Sequence, residues 1–357
     1  MWNLAPLPRN LRATLADARH PKTKVRRSAA ADLGRHLLES SEGRDELIAA
    51  LRGLLEDPLP ELRIAACLAA ADGQAVEVVD RLLELVQSSH TAVAQHALLA
   101  LGELPGGAER SVPVVRAHLE DPRAALRFQA LIALHRLAPG AAPDALIAHF
   151  EDEDAEVRHV AVRCWESLRF DDVEGLPTVS QPELAALRRR LTDESLPVRV
   201  LAALLLGRLG EAEARPVIVE CLRSSSPSLD PEDEAALIAL AGELDLQEAR
   251  PALRRRAFGG LLSAHRHAWH ARVALARLGD EAAIATFRAE LRAWSAVRRT
   301  LAVAAIGQAR LVEFGAEVQR QRGRGVPEDT IDAALAALGQ SPSSPSASPR
   351  AVDPVGR

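Results

Sequence analysis

Tyrosine is absent from this 357-residue chain, and all aromatic residues together make up 3% of it. So few rings leave little to stack single-stranded bases, the usual footing of a nucleic-acid channel. Lysine is nearly missing too. Lys22 and Lys24 stand alone, which excludes a GxxxxGK[ST] phosphate loop elsewhere in the chain. No HExxH pair, no Gly-x-Ser-x-Gly elbow and no strand leading into GxGxxG is found. The three cysteines, Cys67, Cys164 and Cys221, are scattered. They form neither a disulfide framework nor a CxxC knuckle, and read as small buried hydrophobes. No apolar run approaches membrane-spanning length. The opening Met1-Trp2-Asn3-Leu4-Ala5-Pro6 lacks the basic and apolar regions of a secretory signal. The expected location is cytoplasmic.

What the chain does have is Ala, Leu and Val. Hydrophobic residues reach 48% with almost no aromatic share. Ala and Leu favour helix, and small Ala side chains let helices approach closely. Period-two alternation, the mark of strands, is missing. The formal charge of −5 hides an asymmetry: residues 251–325 carry +9, whereas 51–250 carry about −15. Opposite fields of that size suit different partners.

A repeat organises the sequence. The segments 24–34, 92–102, 125–135, 156–166 and 197–207 share a pattern that begins with Val or Leu at a position we call 0. Across ten segments, position +4 is Ala29, Ala66, Ala97, Ala130, Ala161, Ala202, Leu237, Ala271, Ala302 and Ala334. Position +8 is apolar in all ten, and the mean interval is near 34 residues. Spacings of 0, 4, 7, 8 and 11 mark one face of a helix. A stretch of that length holds two short helices but cannot bury its own apolar face, so each must lean on its neighbours. Longer intervals mark insertions around Phe170–Pro177 and Ser224–Ser228.

A turn precedes position 0. Asp57, Asp121, Asp152 and Asp193 each lie five residues ahead of it, followed by Pro or Glu. Such an Asp accepts from free backbone N–H groups. Arg26, Arg63, Arg127, Arg158 and Arg199 stand directly after position 0. The pattern Asp-Pro-x-x-x-(Val/Leu)-Arg-x-x-Ala-x-x-x-Leu-Gly resembles HEAT repeats, particularly the bacterial type also seen in phycobilin lyases. The resemblance covers roughly residues 11–339. It implies an all-α, right-handed α-solenoid of about ten stacked helical hairpins over residues 1–339, with a Ser/Pro-rich tail at 340–357 expected to be disordered. It also implies a ladder of hydrogen bonds between successive repeats, made by Asp57, Asp121, Asp152 and Asp193 with Arg63, Arg127, Arg158 and Arg199. In the later repeats Asp233, His267, Arg298 and Thr330 occupy position 0 and depart from the pattern.

Catalytic and metal chemistry are thinly supported. Glu151-Asp152 and Asp171-Asp172 read as capping acids in turns. In His265-Arg266-His267-Ala268-Trp269-His270, two histidines stand at i, i+3. His265 is expected to point elsewhere, with no carboxylate or cysteine nearby, so no metal and no cofactor is expected.

In HEAT arrays the second helix of each pair lines the concave side. Position +2 lies opposite the buried sector, and with +6 it forms a ridge that is apolar around Ile64, Leu68, Phe128, Ile132, Val200 and Leu204, with His159 between. Either neighbouring helices cover this ridge, or it accepts an amphipathic or extended segment of another protein. The basic third offers Arg254, Arg255, Arg256, Arg298 and Arg299 to an anionic partner. The expected function is a non-catalytic protein-interaction scaffold with a protein partner and no membrane. The rivals are a lyase or chaperone for a tetrapyrrole-bearing protein, implied by the phycobilin-lyase resemblance, and nucleic-acid binding through the Arg-rich third, which the overall acidity disfavours.

Overall fold

The computed structural model describes residues 9–171, 177–224, 229–259 and 265–339. Of the insertions expected around Phe170–Pro177 and Ser224–Ser228, residues 172–176 and 225–228 lie outside the described residues, as does the tail at 340–357. Among those described there are twenty α-helices and no strand, falling into ten consecutive pairs. Six pairs come first: α1 (Leu11–Asp17) and α2 (Thr23–Glu39), α3 (Arg44–Leu55) and α4 (Pro60–Asp72), α5 (Val79–Val86) and α6 (Thr91–Gly102), α7 (Ala108–Ala117) and α8 (Ala124–Leu137), α9 (Pro143–Ala148) and α10 (Ala155–Phe170), α11 (Gln181–Arg190) and α12 (Leu196–Arg208). Four follow: α13 (Ala214–Ser224) and α14 (Pro231–Glu243), α15 (Arg250–Phe258) and α16 (Ala268–Arg277), α17 (Glu281–Glu290) and α18 (Ala296–Ala309), α19 (Gly315–Gln319) and α20 (Glu328–Ala337).

The chain divides into two compact units, residues 1–202 and 203–357, and the division falls within α12. Within the N-terminal unit α2, α4, α6, α8 and α10 pack in succession, each also against its own first helix. Within the C-terminal unit α14, α16, α18 and α20 do the same. The packing follows the sequence period. Every residue at +4 is buried, nine of the ten completely, and every residue at +8 is buried, from Leu33 through Trp165 to Ile306. A column of alanines leaves no side-chain bulk to hold successive helices apart.

The small residue at +9 completes that contact. A Cβ on Gly102 would stand 3.0 Å from Ala133 Cα, one on Gly242 2.9 Å from Ala274 Cα, and one on Gly307 2.8 Å from Ala334 Cα. Ala133 and Ala274 occupy position +7 of the next repeat. Ala334 therefore plays the +7 part as well, and the register read from sequence in the tenth repeat is corrected by three residues, with Pro327 at position 0. In that register Ile331, Leu335 and Leu338 take the buried positions +4, +8 and +11. Thr330, at position 0 of the sequence register, is half-exposed, whereas Ile331 beside it is buried. No helix among the described residues is long and apolar enough to cross a membrane.

Candidate functional site

The turns ahead of the second helices are built from repeated chemistry. Asp57 Oδ1 accepts from the backbone N–H of Leu59 at 3.0 Å, and Asp121, Asp152 and Asp193 accept likewise from Arg123, Asp154 and Ser195 at 2.9 Å. Each carboxylate thus closes an Asx turn. The arginine after position 0 folds back over the same turn. Arg63 Nη1 donates to the carbonyls of Asp57 and Pro58, and Arg158 to those of Asp152 and Glu153. Arg26, Arg127, Arg199 and Arg299 do the same to His20 and Pro21, Asp121, Asp193 and Glu194, and Ala293 and Trp294.

The remaining donors reach the next repeat. Arg26 meets Asp57 at 3.0 Å, Arg127 meets Asp152 at 2.7 Å, and Arg158 meets Asp193 at 2.8 Å. The last two are paired nitrogen-to-oxygen on both arms and are buried. Burial on its own would raise the carboxyls of Asp152 and Asp193, but the guanidinium and backbone N–H bonds together outweigh it and hold both below the usual range. The ladder differs from the sequence expectation at two rungs. Arg63 finds no Asp in the third repeat, where Ser88 stands at that position, and serves its own turn alone. Asp121 finds Ala94 where the preceding arginine would be. Arg123 fills the gap, pairing with Asp121 at 2.9 Å and reaching back to the Ser88 carbonyl at 3.1 Å.

Glu183 is a buried centre that the sequence reading passed over. It opens α11 in a capping box with Ser180, accepting from that residue's N–H at 2.8 Å and hydroxyl at 2.6 Å. It also accepts from Trp165 Nε1 at 3.0 Å and Arg169 Nε at 2.9 Å. Burial pushes its carboxyl up, yet these bonds prevail and bring it from the ordinary 4.5 down to about 2. A depressed acid stabilises the fold above its unfolded value and loses that contribution as pH falls from 4.5 through about 2. Glu183→Gln is therefore expected to cost about 3 kcal/mol at neutral pH and less than about 0.5 kcal/mol near pH 2. Urea unfolding followed by tryptophan emission checks this; a gap that stays constant across the acid range would refute it. The signal was present as Ser180-x-x-Glu183.

The second-helix ridge is open in part. On α4, α6 and α8, Leu68 is 39% exposed and Ile64, Leu99, Phe128 and Ile132 are half-buried. His159 on α10 is half-buried. Val200 and Leu204 are corrected: both are buried, with 0% and 5% exposure, and present nothing to a partner. A second apolar strip lies at the start of α18. Trp294 is fully exposed, and Val297 and Leu301 follow it at helical spacing with 68% and 46% exposure. Trp294 stands where Pro58 stands in its own turn, a substitution the sequence reading did not single out.

The arginines proposed for an anionic partner divide. Arg256 is corrected: it is buried, bonding Glu234 at 2.9 Å and the Leu222 carbonyl at 2.8 Å. Arg254 pairs with Asp280, and Arg299 is spent on turn carbonyls, the last being that of Arg324. Arg255 and Arg298 remain exposed. Of the other arginine runs, Arg189 and Arg190 pair with Glu151.

The histidine cluster also differs from expectation. A carboxylate does lie beside it: Glu234 is 3.4 Å from His267 Nε2 and 3.8 Å from His265 Nε2, so His265 shares the cluster rather than pointing away. A separation of thirty-one to thirty-three positions along the chain hid this contact. Glu234 already accepts from Arg256 and Arg266, both at 2.9 Å, and two guanidinium groups repel a cation. Burial pushes the His267 imidazole down. No group of three or more metal-ligating side chains is assembled among the described residues. Burial pushes the thiol of Cys67 up to about 12 and that of Cys164 to about 11, which keeps both in the unreactive form.

Comparison with known proteins follows the same lines. The sequence pattern of HEAT repeats matches three overlapping stretches, residues 11–102, 79–166 and 143–230, together more than half of the chain. A search of curated proteins finds no match. Among solved structures, Escherichia coli YibA superposes with a TM-score of 0.53 at 15% identity, over 76% of this chain and 93% of that one. Importin beta superposes with a TM-score of 0.51 at 13% identity, over 92% of this chain and 51% of its own. The CpcE–CpcF complex of phycocyanin lyase from Nostoc sp. gives a TM-score of 0.41 at 18% identity, over 70% and 95%. At such identities the likeness is one of fold, an armadillo-like helical repeat.

Proposed function

Because the chain belongs to the HEAT-repeat family, we propose that it is a non-catalytic, cytoplasmic scaffold that binds another protein across α4, α6 and α8. The observation that supports this reading is the apolar strip of Ile64, Leu68, Leu99, Phe128 and Ile132 on three second helices that pack in succession. A surface helix with no partner carries polar residues on its outer face. Here the polar residues are Gln95 and His96 on α6, with Asp72, His135 and Arg136 at the C-terminal ends of α4 and α8. An amphipathic helix or extended segment seats its own apolar side chains on such a strip. Nucleic acid is the poorer match, because many arginines of the chain are engaged in turns and ion pairs.

Photo-crosslinking tests the proposal. A crosslinker placed at Ile132 is expected to capture a defined protein in cells, and one placed at Lys24 is not. Phe128→Glu should weaken that capture at least ~10-fold, equivalent to about 1.4 kcal/mol, while the far-ultraviolet circular dichroism stays unchanged. Loss of helicity in Phe128→Glu, or the same adducts from Lys24, would count against the face.

A further inference from the structure

A separate feature of the C-terminal unit supports a second contact. We infer that the groove between α17 and the turn after α19 receives an acidic peptide segment of a partner protein, gripping its side-chain carboxylates and its backbone together. The groove is a cavity of about 220 Å³ lined by Arg288, Arg292, Glu317, Arg320, Gln321 and Arg324. Four cations thus face one carboxylate, and among the described residues Glu317 pairs with Arg320 alone, at 3.5 Å. Among the described residues Arg288, Arg292 and Arg324 have no carboxylate partner, whereas Arg127, Arg158 and Arg256 elsewhere are paired and buried. Arg288 is held in place: its guanidinium sits 5.0 Å from the ring centroid of buried Phe314. A cation fixed on an aromatic face loses less freedom on binding.

Gln321 decides between kinds of anion. It is only 4% exposed, and its Nε2 donates to the Glu317 carbonyl at 3.4 Å. Its Oε1 is buried without a hydrogen bond, and the residue lines the groove. A buried acceptor without a donor is costly, so whatever binds well supplies an N–H or O–H there. A deprotonated carboxylate or a DNA phosphodiester brings charge for the arginines but no donor for Gln321. A polypeptide with acidic side chains brings both. The +9 charge of residues 251–325 draws such a segment in over longer range.

Fluorescence anisotropy of a labelled alternating Glu–Ala peptide with the full chain at low salt tests this. Binding is expected, and the Arg292→Glu/Arg324→Glu double variant should weaken it at least ~10-fold, while Arg298→Glu, outside the groove, leaves it unchanged. The same peptide with N-methylated backbone should bind the unaltered chain ~10-fold more weakly. Gln321→Leu should then bind both peptides alike. Three results overturn the inference: no binding at low salt, equal losses from Arg298→Glu, or an N-methylated peptide and an oligothymidylate of the same charge that both bind as tightly as the unmodified peptide. The last would make the groove a general anion site. The comparison of peptides on the unaltered chain stands even where Gln321→Leu folds poorly.

Discussion

Alanine in place of Arg158 is expected to destabilise the unit formed by residues 1–202 by about 3 kcal/mol. The arginine donates to both oxygens of Asp193, at 2.9 and 2.8 Å, and to the carbonyls of Asp152 and Glu153. Removing it strands a carboxylate whose side chain is 2% exposed. Stranding of that kind costs about 3–5 kcal/mol, and the lower figure applies because Arg190 still reaches Asp193 at 3.1 Å. Arg63→Ala supplies the contrast. It removes contacts to two turn carbonyls, and no buried carboxylate depends on it, so about 1 kcal/mol is expected. Equal losses in the two variants, measured by urea unfolding, would show that turn capping rather than the bridge between repeats carries the energy. Arg158→Met with Asp193→Leu should recover much of the loss, since neither partner then leaves a charge behind.

The second large effect concerns glycine at the helix contacts. Gly307→Val is expected to cost about 3 kcal/mol, because its Cβ would stand 2.8 Å from Ala334 Cα, and backbone cannot turn aside as a side chain can. Even Gly307→Ala should destabilise, although alanine gains about 1 kcal/mol over glycine in a helix interior. Gly53→Ala is expected to have the opposite sign. Gly53 lies in α3, exposed, with nothing within 4 Å of its added Cβ, so the propensity gain appears undiminished as about 0.5–1 kcal/mol of stability. Thermal melts of the variants decide it. A stabilising Gly307→Ala would mean that α18 and α20 separate freely, and the close alanine–glycine packing would lose its meaning.

Much of the repeat was legible because its determinants are short-range. Ala at +4 and an apolar residue at +8 recur at helical spacing, and helical spacing fixes which residues share a face. The Asp ahead of position 0 and the Arg behind it were legible too, since both act within their own turn, six residues apart. Gly102, Gly242 and Gly307 were visible only as markers of the period. Their role emerged when Ala133, Ala274 and Ala334 were found against them. Glu183 was not legible in the repeat pattern although its capping box is written plainly, because it opens α11, a first helix, whereas the pattern is carried by the second helices.

Sequence alone determined that this chain is a series of helix pairs, where the apolar face of each lies, and which turns carry the Asp and Arg. Tertiary packing decided the rest: that Arg63 has no carboxylate to meet, that Arg123 closes the gap beside Asp121, that Val200 and Leu204 are covered while Leu68 is not, and that Glu234 neutralises a basic cluster more than thirty residues away. The reason lies in range. A helical period is set by neighbours along the chain, whereas exposure and charge pairing depend on what an adjoining repeat places opposite, and a single substitution there, Ser88 for Asp or Ala94 for Arg, redirects the partner of a residue that has not itself changed.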